Sequence, residues 1–165
     1  MVLAAAAGIG WWTDLGRVHG APAGPVLGQH LADEGSDHVA VGSQIRYKAD
    51  PPASGPHYPF PAPAGVFPNG LQTGFWVHNL EHGYIVVLYR SPVSPARLGQ
   101  FDGMLRDFPK SKFGNVKLVF VPYAGMPARF TFLSWDWRYE TNTFDRATLL
   151  RFYKDHVDHG REDIP

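Results

Sequence analysis

The chain has no cysteine among its 165 residues. Disulfides, thiolate metal sites, iron–sulfur clusters and cysteine nucleophiles are therefore excluded. Any metal ion bound by this chain must be held by imidazole, carboxylate, thioether or water ligands. The chain carries eight histidines, which is a generous supply of imidazole ligands.

The chain also has no excess charge of either sign. Fifteen basic and fifteen acidic side chains cancel, so there is no surplus of Lys and Arg to neutralise phosphates, and nucleic acid is not an expected partner. The sequence contains neither a Walker lysine motif nor a Gly-x-Gly-x-x-Gly loop that opens a helix. With 18 glycines, 15 prolines and 14 % aromatic residues, the composition indicates a loop-rich domain and not a helical bundle.

A hydrophobic run long enough to cross a bilayer is missing from the N-terminus. Residues 2–12 are apolar, but a span takes about 20 residues, and no basic segment precedes them as in a signal peptide. Two interpretations stay open: the remnant of an export or anchor segment, or a short apolar arm docked on a partner. We assign residues 1–36 to this N-terminal arm or anchor remnant and residues 37–165 to a single globular domain.

Four segments have the pattern of β-strands. Residues 37–48 partly alternate and predict one or two short strands. Residues 84–89 and 116–123 are continuous apolar runs, typical of strands buried on both faces. Residues 129–139 alternate aromatic with polar side chains, which predicts one half-exposed strand.

Two segments have the pattern of amphipathic helices. Residues 95–108 place apolar side chains three or four positions apart, with Ser94 available as the N-cap. Residues 145–159 predict a closing helix with Asp145 near its cap. Between the elements, the proline-rich residues 50–69 predict a long loop. Together these features predict an α+β fold with a mainly antiparallel sheet, two packed helices, a long Pro-rich loop and an irregular N-terminal arm.

The most specific local pattern is the sequence His-Asn-Leu-Glu-His at residues 78–82. The residues before it predict a strand or a single helical turn, and in either conformation His78 and His82 lie on the same side. Both imidazoles can therefore reach one ion. Glu81 lies beside them as a ligand, an orienting carboxylate or a base, and Gly83 permits a positive φ before the buried strand.

Two further histidines precede this motif. Residues 51–57, Pro-Pro-Ala-Ser-Gly-Pro-His, form a rigid loop that presents His57 at little entropic cost. Taken alone, such a loop more often covers a surface and leaves its histidine in solvent. His38 stands at the start of the first predicted strand and is, by itself, a weak signal.

The two motifs, in this order and about twenty residues apart, resemble an uncharacterised prokaryotic family, domain of unknown function 3105. The likeness extends from His38 through Trp135 to the closing helix, roughly residues 37–160, and Ala53 stands where the family usually has Thr. The resemblance implies an N-terminal membrane segment and an extracytoplasmic domain, located in the periplasm or on the outer face of the cytoplasmic membrane. It implies no activity, because the family has no established function.

From these residues we predict a histidine-based metal site in an envelope domain. His57, His78 and His82 are the predicted ligands, with His38 or Met126 as a fourth. Three imidazoles suit a copper or zinc ion, and a thioether ligand would favour reduced copper. The corresponding role is metal carriage, storage or delivery, or service as a subunit of a membrane-associated complex.

Two alternatives stay open at this stage. His-x-x-Glu-His is the inverted zinc-peptidase pattern, in which Glu81 would act as the base of a zinc-dependent hydrolase, although we favour a non-enzymatic role. The second alternative is a non-catalytic structural or interaction subunit without metal. In either case we expect a membrane or membrane-protein partner at the N-terminal arm, with a homo-oligomer as a further option.

Overall fold

A computed structural model of the chain describes residues 24–165. The described part contains three helices and one six-stranded sheet. In chain order the elements are β1 (Gln29–His30), β2 (Gly65–Val66), α1 (Thr73–Glu81), β3 (Ile85–Tyr89), α2 (Pro95–Asp107), β4 (Leu118–Pro122), β5 (Phe130–Ser134), β6 (Trp137–Thr141) and α3 (Arg146–His156).

The strands are arranged in the order β1-β6-β5-β3-β4-β2. β4 runs parallel to both of its neighbours, β3 and β2, whereas β3, β5, β6 and β1 pair antiparallel. The α+β prediction is therefore confirmed, but the sheet is mixed and not mainly antiparallel. The reason is that the chain returns from β3 to β4 through α2, and such a crossover makes consecutive strands parallel.

The two predicted buried strands are confirmed as β3 and β4, which are adjacent interior strands of the sheet. Every residue of β3 is buried, and its side chains alternate between two core clusters. Ile85 and Val87 belong to the cluster that includes residues of α2 and α3, while Val86 belongs to the cluster that includes α1. α1 thus occupies its own face of the sheet.

A nine-residue helix, α1, includes the start of the histidine motif, so residues 24–165 contain three helices instead of the predicted two. Gln72 provides no side-chain cap for α1, and Gly74 occupies its first turn, so local propensity is weak. Trp76, Val77 and Leu80 are fully buried. Burial against the sheet therefore stabilises a helix that the sequence pattern alone underestimates.

Two strand predictions were wrong in detail. The segment 129–139 is divided into β5 and β6 by a tight turn at Asp136, whose φ is +60°; aspartate tolerates this conformation without a glycine to mark it. Residues 37–48 contain only an isolated bridge at His38. There the Glu34 carboxylate accepts hydrogen bonds from the backbone N–H groups of Lys48 and Ala49, which removes these donors from any strand pairing.

Both predicted N-caps are confirmed. Ser94 accepts a hydrogen bond from the Arg97 backbone at the start of α2, and Asp145 caps α3. At the other end of the chain, β1 pairs with β6, so the last part of the predicted arm contacts the sheet. The apolar residues 2–12 lie outside the described residues. Within residues 24–165, no helix is both long and apolar enough to span a membrane.

Candidate metal centre

The end of α1 provides three of the candidate side chains. His78 and Glu81 lie in the last turn of the helix, and His82 is its C-cap. Gly83 follows with φ +75°, which confirms the predicted turn into the buried strand. A Cβ at this position would lie 2.7 Å from the Cα of Asp158, so both the conformation and the close approach of the chain require glycine.

The Pro-rich loop is fixed against α1 by reciprocal hydrogen bonds. The Asn79 side chain accepts from the Ala62 backbone N–H (3.0 Å) and donates to the Ala62 carbonyl (2.7 Å). Tyr58 donates its backbone N–H to the Gly74 carbonyl at 3.1 Å. As a consequence His57 is fully buried, and the simple picture of a covering loop with a solvent-facing histidine is wrong.

His38 is brought to the same place by a single parallel bridge to His57. The Val39 N–H donates to the His57 carbonyl (2.8 Å), and the His57 N–H donates to the Asp37 carbonyl (2.9 Å). The His38 ring stacks on the ring of His78, with centroids 5.1 Å apart. Its side chain remains 47 % exposed, so it forms the solvent side of the cluster.

Four side chains converge on one point. Ligand atoms of His38, His57, His78 and Glu81 all lie within 4.8 Å of one another, compared with about 3.3 Å between ligands in an ideal tetrahedral zinc site. The Oε2 atom of Glu81 lies 2.9 Å from Nε2 of His57 and 3.7 Å from Nε2 of His38. These four residues could hold a metal ion after small rotamer adjustments.

The outer nitrogens of two rings are bound to backbone carbonyls. Nδ1 of His57 lies 2.9 Å from the Gly55 carbonyl, and Nδ1 of His78 lies 2.6 Å from the Tyr58 carbonyl. Because a carbonyl only accepts, each Nδ1 carries the hydrogen, and the Nε2 of each ring, when the ring is neutral, has a lone pair, which in His78 faces Nε2 of His82 at 2.8 Å. Metal-binding histidines have this arrangement, with the non-ligating nitrogen donating to a carbonyl or carboxylate.

This tautomer produces an unfavourable contact unless a positive charge lies between the partners. The free Nε2 of His57 faces a carboxylate oxygen of Glu81 at 2.9 Å, and both groups are acceptors when His57 is neutral and Glu81 is ionised. Both side chains are buried, so water does not screen the repulsion. A shared proton or a bound cation is therefore required at this position.

His82 lies next to this group but outside it. Its Nε2 is 2.8 Å from Nε2 of His78 and 3.3 Å from an oxygen of Glu162. It forms a second group of potential ligands with Glu81 and Glu162. The structure thus brings together His57 and His78, as predicted, with His38 as the third imidazole, whereas His82 faces a neighbouring position.

Burial keeps two of the rings neutral. It lowers the pKa of His78 and lowers that of His82 to about 4, and the nearby His78 ring is the next contribution to the shift at His82. A histidine that stays unprotonated at pH 7 has a lone pair available for a metal ion.

Glu162 was missed by the sequence analysis. The C-terminal tail folds back along the end of α1: the Glu162 N–H donates to the Glu81 carbonyl at 2.9 Å, and the Asp158 N–H donates to the Gly83 carbonyl at 3.0 Å. A Cβ on Gly160 would overlap the Glu81 carbonyl. Gly83 and Gly160 are the two glycines that this close approach requires, and neither identifies its partner in the sequence.

A buried lysine holds the C-terminal tail against the end of α1. Lys117 is fully buried, pairs with an Asp158 carboxylate oxygen at 2.8 Å and donates to the carbonyls of His82 (2.7 Å) and Ile164 (2.8 Å). The same ammonium group therefore positions both the backbone of His82 and the end of the chain.

A family model described as "Protein of unknown function (DUF3105)" matches residues 38–164. The chain belongs to this family. The match begins at His38 and includes Glu162, so it covers every side chain of the two groups. No curated protein and no solved structure matches the chain.

In this DUF3105 domain Met126 packs away from the cluster. It is buried in the core cluster that includes Trp76 and Leu133. Its carbonyl accepts a hydrogen bond from Arg90, which follows the C-terminal end of β3, whereas His82 precedes the N-terminal end of that strand. A five-residue strand separates these positions, about 17 Å along the sheet, so this geometry offers no support for a thioether ligand.

Proposed function

We propose that this DUF3105 domain binds a divalent zinc or copper ion through His38, His57, His78 and Glu81. One observation carries the proposal: in a buried site, Nε2 of His57, whose Nδ1 is bound to a carbonyl, lies 2.9 Å from a Glu81 carboxylate oxygen, so a proton or a cation must lie between them. A bound cation can replace this proton and take both groups as ligands, and the carbonyl partners of His57 and His78 pre-orient both rings for it.

The ligand chemistry narrows the choice of metal. Three imidazoles and one carboxylate, with no sulfur, suit zinc or oxidised copper and do not favour reduced copper. Divalent copper binds most nitrogen and oxygen sites more tightly than zinc does. The two metals are therefore best distinguished by direct competition at equal free concentrations.

We propose a role in metal carriage, storage or delivery for a domain on the outer side of the cytoplasmic membrane. The exposed half of His38 supports this role, because it gives the ion a route to and from a partner. The resemblance of the motifs to an envelope family and the apolar residues 2–12 support the location. Cell fractionation of the native chain tests it, and recovery of the chain only in the cytoplasm would overturn it.

The hydrolase alternative makes Glu81 a general base. Such a base must accept a proton from the metal-bound water, so it cannot itself be a ligand of the metal. The short contact between Glu81 and His57 instead supports a role for the carboxylate as a ligand. Glu81→Gln separates the two functions, because a hydrolase would keep the metal and lose turnover, whereas a carrier loses metal affinity.

Metal titration of the tag-free full chain tests the proposal. In equilibrium dialysis with zinc and then copper, we expect at least one ion to bind with a dissociation constant below micromolar. His57→Ala and the half-exposed His38→Ala should each weaken binding at least tenfold, with folding checked by circular dichroism. The matched control is His159→Ala, whose ring bonds the Asp155 carbonyl and lies in neither ligand group. Binding weaker than micromolar, or equal binding by all variants, would contradict the proposal and leave the structural-subunit alternative.

A further inference from the structure

We propose that this domain holds a second divalent cation next to the first, with Glu81 as the bridging ligand and His82 and Glu162 as the other protein ligands. This inference rests on the proposed function, since it adds a neighbouring position to the same centre. It also gives a chemical role to two side chains that the four-ligand site does not use.

The geometry of the second position follows from the shared carboxylate. Ligand atoms of Glu81, His82 and Glu162 lie within 4.8 Å of one another, and Glu81 is the residue common to both groups. A carboxylate has two oxygens, and in two-metal sites it can bind one ion with each oxygen at a metal separation of about 3.5–4 Å. The 2.8 Å contact between the His78 and His82 rings shows that the two positions are immediate neighbours.

The ligands of the second position are held by the backbone. The N–H of Glu162 is bound to the Glu81 carbonyl at 2.9 Å, so two of the three ligand residues are tied directly to each other. Lys117 binds the His82 carbonyl and the Ile164 carbonyl, one on each side of this connection. A loose surface glutamate would not be restrained at both flanks in this way.

The two positions differ in the number of protein ligands. The first has four, whereas the second has three, and the side chain of Glu162 among these three is 44 % exposed. With three protein ligands and an open side, the second ion would complete its coordination with water. We therefore expect the second ion to bind more weakly than the first and to exchange faster.

Copper titration of the full chain, followed by metal analysis and electron paramagnetic resonance, tests this inference. The wild type should bind two equivalents of Cu²⁺: the first gives the signal of an isolated ion, and the second introduces spin coupling between the two. Glu162→Gln and His82→Asn should each bind one equivalent and show only the isolated signal. The matched control Asp163→Asn changes the next residue of the tail, an exposed partner of Lys112, and should still bind two.

The outcomes separate this inference from the proposed function. One uncoupled equivalent in the wild type, or two coupled equivalents retained in both Glu162→Gln and His82→Asn, would overturn the second position and leave the four-ligand site in place. No binding at all in the wild type would overturn both. X-ray absorption of the zinc-loaded wild type should add a metal–metal distance of about 3.5–4 Å, which is expected to vanish in Glu162→Gln.

Discussion

Two histidine rings in this domain are oriented before any ligand arrives. The Nδ1 atoms of His57 and His78 are committed to the carbonyls of Gly55 and Tyr58, and both carbonyls belong to the Pro-rich loop. Because each ring loses its conformational freedom during folding, little conformational entropy remains to be lost when a cation binds. This explains how a domain of modest size can present imidazoles from separate segments at one point.

Not every buried histidine belongs to the centre, and His156 is the clearest case. Its Nε2 donates to the Leu27 carbonyl at 2.7 Å, and its ring packs on Phe152 and Trp137. Burial lowers its pKa, while the bond to Leu27 opposes the shift. It therefore serves to hold the segment before β1 against α3.

The protonation of His156 predicts a pH-dependent stability. In the unfolded chain histidine has its ordinary pKa of about 6.5, so between this value and the lowered native pKa the unfolded state binds more protons. The free energy of unfolding should consequently fall as the pH drops below about 6.5. Urea denaturation between pH 5 and pH 8 should show a shallower pH dependence in His156→Gln than in the wild type. Equal slopes would show that His156 is protonated alike in both states.

At the scale of elements, the C-terminal tail and α1 depend on Lys117. Its ammonium group is enclosed by Asp158 and two carbonyls, and it also lies 4.4 Å from the ring centroid of Phe113. A buried charge of this kind is tolerated only because every partner is in place. The pairing makes the tail part of the site instead of a free end.

Removal of this cation should be costly. Lys117→Met leaves the Asp158 carboxylate without its partner, and we expect a loss of about 3–5 kcal/mol in the free energy of unfolding. The matched control is Lys112→Met, which breaks a surface pair with Asp163 and should cost less than about 1 kcal/mol. Chemical denaturation of both variants measures the difference, and similar losses would mean that the buried pair contributes little.

Substitution by alanine should have opposite effects on stability at two helix glycines. In α1, a Cβ on Gly74 would lie 2.7 Å from the Tyr58 ring, whereas Gly99 in α2 has no neighbour within 4 Å. Gly99→Ala should stabilise the domain by about 0.5–1 kcal/mol. Gly74→Ala should destabilise it and weaken metal binding, because displacement of Tyr58 moves the carbonyl that orients His78. Melting temperatures and zinc affinities of both variants check this, and a stabilised Gly74→Ala with unchanged affinity would be the contrary result.

Local sequence signals anticipated local structure well, but they could not anticipate contacts across the chain. Ser94 and Asp145 were recognised as caps, and the apolar runs of β3 and β4 as buried strands, because each signal is contained in its own segment. The helical state of residues 73–81 depends on burial against the sheet, so it was not visible locally. The His-x-x-x-His spacing indicated the segment where the candidate ligands meet, but whether both rings can share one ion depends on their rotamers.

The third imidazole and the second carboxylate illustrate the same limit. His38 reaches the cluster through one backbone bridge to His57, and Glu162 reaches it because the tail pairs with the end of α1. Neither contact leaves a periodic pattern in the sequence. The motif pair at residues 51–57 and 78–83 indicated the region where the candidate ligands converge, and His38 was predicted only as an alternative to Met126 for the fourth ligand.

For the whole molecule, metal binding should appear as thermal stabilisation. The ligands come from the segment before the Pro-rich loop, from the loop itself and from α1, so an ion crosslinks parts of the chain that unfolding separates. At a free metal concentration 100 times the dissociation constant, the stabilisation is about 2.7 kcal/mol, which corresponds to a rise of about 5–10 °C in melting temperature. Calorimetry with zinc and with a chelator should show this rise in the wild type and its loss in His57→Ala. A melting temperature that is the same with zinc and with a chelator would contradict this crosslink.

The most direct measurement of the central claim is X-ray absorption spectroscopy of the Glu162→Gln variant loaded with one equivalent of zinc. We predict a first shell of three imidazole nitrogens and one carboxylate oxygen at about 2.0–2.2 Å, with the multiple-scattering pattern of histidine rings. When His57→Ala is added to this variant, the number of imidazole nitrogens in the first shell should decrease from three to two. A shell made mainly of water oxygens, with no imidazole scattering, would contradict the account.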